Sequence, residues 1–140
     1  MRIAVLIYPM SNPERLTLLA KSFIAGLQGQ GHLVEMFNIR TDANIRLGVY
    51  DYLCFGSQGG SLLSGRIDPA LTKQLDGLSG CSGKRSFAFI GKKAFFSESV
   101  LKGLMKAMES QGLFIRNSAI FATADEARLL GSTLEVARKG

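Results

Sequence analysis

"MRIAVLIYPMSNPERLTLLAKSFIAGLQGQGHLVEMFNI", residues 1–39, decides the architecture of this chain. Residues 3–8 are an almost continuous apolar run, as expected of a strand buried on both faces. Behind it, Leu16, Leu19, Ala20, Phe23, Ile24 and Leu27 recur at helical spacing and form one broad stripe. Asn12 is a natural cap for that helix and Pro13 suits its first position, while Gly29 and Gly31 stop it. A second strand, 33–39, follows with some alternation of apolar and polar residues. Strand, helix and strand joined by short connections read as one unit of a parallel sheet with a right-handed crossover.

The same grammar continues outward. Residues 52–55 and 87–90 are further apolar strands, and 119–121 is a short fifth, with 113–115 contributing just before it. Asp68-Pro69 repeats the cap-then-proline start ahead of Leu71 and Leu75. Ser97 opens a helix carrying Val100, Leu101, Leu104, Met105 and Met108 that closes near Gly112. Thr123 and Glu126 have capping-box spacing ahead of Ala127, Leu130 and Leu134, and Arg138 and Lys139 suit the negative end of that helix. Residues 40–50 read either as one short helix or as a loop. With no linker or internal repeat, residues 1–140 are expected to form one α/β domain, a three-layer α-β-α sandwich.

Composition narrows the function classes. A chain of 140 residues that is 46% apolar and 20% charged can bury a core without disulfides or metal. Cys54 lies in an apolar run and Cys81 in a Gly/Ser-rich stretch, and neither belongs to a metal-binding pattern. The apolar start is too short for a signal or membrane segment, so a soluble, cytoplasmic protein is expected. The net charge of +6 favours acidic partners. Apart from Lys84-Arg85, Lys92-Lys93 and Arg138-Lys139 the basic residues are scattered, without a nucleic-acid-binding signature, so nucleic acid is not expected as a partner.

In such a sheet, ligands bind beyond the carboxyl ends of the strands. Three loops project there: 9–15, 57–66 and 91–97. A helix start with Arg15 one turn in attracts phosphate, yet Asn12-Pro13-Glu14 is equally a plain helix start of cap, proline and acid. Gly59 and Gly60 allow close backbone approach, or simply a flexible turn. In "GKKAFFSES", residues 91–99, Phe95 or Phe96 suits the cover of a ring system and Lys92 or Lys93 the neighbourhood of an anion. Core packing and solvated lysines account for the same letters. His32, the only histidine, sits at a turn on the opposite side, "GSQGGS" is not a nucleophile elbow, and no P-loop or G-x-G-x-x-G occurs. Any chemistry must then come from a cofactor.

Three stretches carry a family resemblance. "YDYLCFGSQGGSLLSGRIDPALTKQLD" (50–76) resembles the flavodoxin segment of strand, flavin-contacting loop and helix. "GKRSFAFIG" (83–91) is similar to that family's next strand, and "TADEARLLGSTLEVARKG" (123–140) to its closing helix. The resemblance implies a flavodoxin-like five-stranded parallel sheet in the order 2-1-3-4-5. It also implies FMN at the carboxyl edge, serving electron transfer or an NAD(P)H-dependent flavin/quinone oxidoreductase.

Carried over residue by residue, Ser11, Asn12 and Arg15 hold the phosphate. Ser57, Gln58, Gly59 and Gly60 present backbone to the ring, and Phe95 and Lys92 flank it. The first loop departs from the family pattern T/S-x-T-G-x-T: Asn12 stands for the glycine, Pro13 brings no N–H and Glu14 repels an anion. Leu62 and Leu63 stand where an aromatic usually stacks. The implied partners are a flavin or another phosphorylated small molecule, an acidic redox protein and a second copy in a homodimer. The other reading is a cofactor-free flavodoxin-like binding or regulatory module.

Overall fold

The computed structural model describes residues 1–10, 12–58, 69–92 and 97–136. Strands and helices alternate as β1 (Arg2–Tyr8), α1 (Pro13–Gly29), β2 (Leu33–Asn38), β3 (Tyr52–Ser57), α2 (Pro69–Asp76), β4 (Arg85–Gly91), α3 (Ser97–Glu109), β5 (Phe114–Phe121) and α4 (Ala124–Thr133). The sheet runs β2-β1-β3-β4-β5, as expected, and every neighbouring pair is parallel.

Side-chain alternation along the central strands builds two cores. Ile3, Val5 and Ile7 of β1, Tyr52 and Cys54 of β3, and Phe87 and Phe89 of β4 face α1 and α4. Ala4, Leu6, Tyr8, Leu53, Phe55, Ala88 and Ile90 face α2, α3 and the 39–50 segment. That segment is a loop, not a helix, and it sends Ile39, Ile45, Leu47 and Tyr50 into the second core. On the α1 face, Phe23 stacks on Phe87 at 5.1 Å and meets Phe89 and Phe121 at 5.6 and 5.8 Å. Each such ring contributes about 1.5–3 kcal/mol through burial.

Helix ends follow their local chemistry. Gly31 (φ 96°) and Gly112 (φ 81°) take the left-handed conformation that ends α1 and α3. At each, the next N–H reaches back into the helix, His32 to Leu27 O and Leu113 to Met108 O, both at 3.4 Å. Thr123 Oγ1 accepts from Glu126 N–H at 3.2 Å, but the glutamate carboxylate answers at Ala122 N–H, one residue further back than a capping box places it. Helix α4 is shorter than its sequence suggests. Leu134 is already extended, and it and Val136 pack into the α1-side core; Arg138 and Lys139 lie outside the described residues.

Where α1 crosses α4 the backbones touch. A Cβ on Gly26 would fall 2.2 Å from Arg128 O, and one on Gly131 2.2 Å from Phe23 O.

The amino edge of the sheet is heavily tied. Lys84 Nζ donates to the carbonyls of Gly48 and Tyr50 at 2.9 and 2.6 Å. Arg85 Nη1 donates to Val136 O at 3.2 Å. Gln30 Nε2 donates to Gly131 O and Leu134 O at 2.7 and 2.9 Å. Strand β5 carries one extra residue, Arg116, at the step opposite Ser86 and Phe87. This bulge and its polar neighbours Asn117 and Ser118 explain why the sequence shows the strand as two fragments.

Candidate functional site

The parallel registers bring the carboxyl ends of β1, β3 and β4 together: Tyr8 pairs with Ser57, and Ser57 with Ile90. The three loops singled out in the sequence leave from this edge. Ser11, Gly59, Gly60 and Phe95 of the expected site lie outside the described residues; Asn12, Arg15, Ser57, Gln58 and Lys92 are described.

Asn12 is exposed and its Oδ1 accepts the Arg15 N–H at 3.4 Å, which makes it the cap of α1. Of the first three residues of α1, Pro13 has no N–H and Arg15's is taken, so among the described residues Glu14 alone keeps an uncommitted one. The backbone donors that make a helix start attractive to anions are therefore thinned here.

Arg15 is half-buried. Its Nη2 donates to Ala122 O, just beyond β5, at 3.1 Å. Its Nη1 lies 3.4 Å from where a Cβ on Gly91 would stand. The guanidinium thus crosses the end of β4, on the α1 face, and retains further donors at the carboxyl edge. Ala122 is held from both sides, because its N–H goes to Glu126 Oε2 at 3.1 Å.

Ser57 is 1% exposed, and its hydroxyl donates to Tyr8 O at 3.0 Å. It ties the ends of β1 and β3 together. Gln58, the next residue, is 3% exposed, and among the described residues its Oε1 has no hydrogen-bond partner. Continuing the alternation of β3 places Gln58 on the α1 face, level with the residue after Tyr8. Lys92 donates its backbone N–H to Phe121 O at 2.9 Å and is exposed.

Arg40 belongs to this edge too, although no sequence motif marks it. It lies two residues beyond β2, with Cζ 5.3 Å from the centroid of the Tyr8 ring and Nη1 donating to Pro9 O at 2.9 Å. Its placement depends on the β1–β2 pairing and on the turn after β2, neither of which leaves a local motif.

His32 is at the opposite, amino edge. Burial, then the nearby chain amino group, hold its imidazole below the ordinary value, and Nδ1 lies 3.3 Å from the Met1 nitrogen. The thiols of Cys54 and Cys81 are free and buried, and burial raises both above their ordinary range. Among the described residues no helix is long and apolar enough to cross a membrane.

The described residues fit a phosphorylated ligand through side chains more than through a backbone nest. Arg15 and Arg40 stand at the edge, and Gln58 offers an unmet buried acceptor.

Comparison of the sequence with protein-family models and with curated proteins found no match. The structure is similar to flavodoxin 1 from Bacillus cereus, with a TM-score of 0.71 at 11% identity over 94% of this chain and 95% of that one. It is also similar to a flavodoxin from the domain Archaea, with a TM-score of 0.67 at 15% identity over 94% of each chain. A flavodiiron protein from Giardia intestinalis gives a TM-score of 0.66 at 14% identity; the match covers 95% of this chain and 35% of that one, so this chain spans about a third of that relative's length. At these identities the likeness shows the fold: five parallel strands and four helices arranged as in flavodoxins.

Proposed function

We propose that this chain, folded as a flavodoxin, binds FMN at the carboxyl edge and acts in electron transfer or as a NAD(P)H-dependent flavin/quinone oxidoreductase. The observation that carries the reading is Gln58. A carboxamide oxygen buried without a donor costs about 1–3 kcal/mol, and this one lies at the strand end beside the first loop. Ribityl hydroxyls and the ring N3–H are donors of the kind it lacks. Arg15 and Ser11 attend the phosphate, with Asn12 shaping the loop as the cap of α1. On the family resemblance, backbone from Ser57 to Gly60 would hold the ring, with Phe95 and Lys92 as its neighbours. Bound there, the flavin supplies one- or two-electron transfer, and the protein tunes it through polar groups near the ring.

The cofactor-free binding module is the second reading, and the thinned donor set at the start of α1 favours it. Visible absorbance of the purified protein and quenching of FMN fluorescence separate the two. The flavin reading expects quenching at micromolar FMN; its absence favours the module. Arg15→Ala should weaken FMN about ten-fold, as for a lost charge-assisted bond, and riboflavin far less. Equal losses for both ligands exclude the phosphate role of Arg15.

A further inference from the structure

The first loop has a guanidinium on each side, and the two are engaged differently. Arg15 comes from the α1 layer and spends a donor on Ala122, toward β5. Arg40 comes from the side of Tyr8, whose ring faces the α2–α3 layer, and spends its donor on the first loop itself, at Pro9 O.

Arg40 is also held from behind. Asn38 Oδ1 accepts the Arg40 N–H at 3.0 Å, Asp42 Oδ2 accepts the Asn38 N–H at 2.8 Å, and Asp42 N–H donates to Asn38 O at 2.8 Å. This turn points Arg40 back over Tyr8, where cation–π attraction and the Pro9 bond fix an otherwise exposed side chain. A long cation so pinned has lost most of its rotamer freedom before any ligand arrives, so its remaining donors cost little to engage. Asp42 Oδ2 accepts from the Asn38 backbone, and among the described residues no hydrogen bond or ion pair joins the Asp42 carboxylate to the guanidinium.

We infer that Arg40 is a specificity-determining residue of the first loop, supplying the fixed positive charge that favours a phosphorylated ligand over its dephosphorylated form. The inference rests on the flavin reading and adds to it a residue outside the family's loop pattern. It compensates for the amides that Pro13 and Asn12 remove from the start of α1.

The test is titration of wild type, Arg40→Gln and Arg40→Lys with FMN and with riboflavin at low and high salt, with melting curves to confirm folding. Arg40→Gln is expected to weaken FMN about ten-fold, as for a lost charged hydrogen bond, while riboflavin changes about two-fold or less. Its FMN affinity should also become less sensitive to salt. Arg40→Lys, which keeps charge but not the fork, should fall between the two. It is read by the same FMN-to-riboflavin comparison if the glutamine variant does not fold.

Wild-type FMN affinity in both variants overturns the role of Arg40 and leaves the flavin reading standing. Equal losses of FMN and riboflavin reduce Arg40 to loop support and also overturn it. A wild type that binds neither flavin removes the flavin reading, and this role with it.

Discussion

Gln58 concentrates the conflict between stability and binding in one side chain. Among the described residues its buried Oε1 has no donor, so a side chain of similar shape without that demand should suit the ligand-free protein better. Gln58→Met is expected to raise unfolding stability by about 1 kcal/mol in urea while weakening FMN. A loss of stability would show that the carboxamide is satisfied after all. His32 gives a second expectation. Its imidazole is held below the ordinary value of 6.5, so the fold disfavours the protonated form. The stability it allows is complete above that value and declines as pH falls through it toward the folded value. His32→Gln should flatten the stability profile in that acid window, as followed by denaturant melts at several pH values; an unchanged profile refutes the assignment. Gln58 is expected at the second loop from the family resemblance, but its burial without a partner among the described residues leaves no pattern in letters. Arg40 leaves none either, because it acts through pairing across strands.

Among the elements, the α1–α4 crossing has the narrowest tolerance. Gly131→Ala gains helix propensity of about 1 kcal/mol, yet its Cβ would stand 2.2 Å from the Phe23 carbonyl oxygen. The helices must separate, and a net loss of about 2 kcal/mol is expected in chemical denaturation. Gly29→Ala, in α1 with nothing within 4 Å of the added carbon, is the control and should stabilise slightly. If both glycines respond alike, the close crossing is not what sets the cost. Thr123→Ala removes the cap of α4 and should cost about 1 kcal/mol. The strands β1, β3 and β4 were readable because both of their faces are buried and their apolar runs unbroken. Strand β5 was only partly so, because an edge strand with a bulge keeps polar residues in its middle. The last helix was overestimated: Leu134 continues the helical spacing of Ala127 and Leu130, yet its backbone is extended, and it and Val136 reach the core beyond the end of α4.

For the molecule as a whole, the phenylalanine cluster couples α1 to β4 and β5. Phe23→Ala leaves Phe87, Phe89 and Phe121 facing a void and should cost about 3–5 kcal/mol, seen as a lowered melting temperature with the cooperative transition retained. Layer order was legible because it follows from the alternation of elements, and strand order only through the resemblance to flavodoxins; the ligand edge was legible only as a place, since its donors are gathered from separate loops and turns. The lysine, arginine and glutamine ties at the opposite rim have a practical meaning. They give the sheet a keel, so whatever is rebuilt at the far end is carried on timber already fastened. Loop grafts there can alter what the protein recognises while the hull keeps its shape.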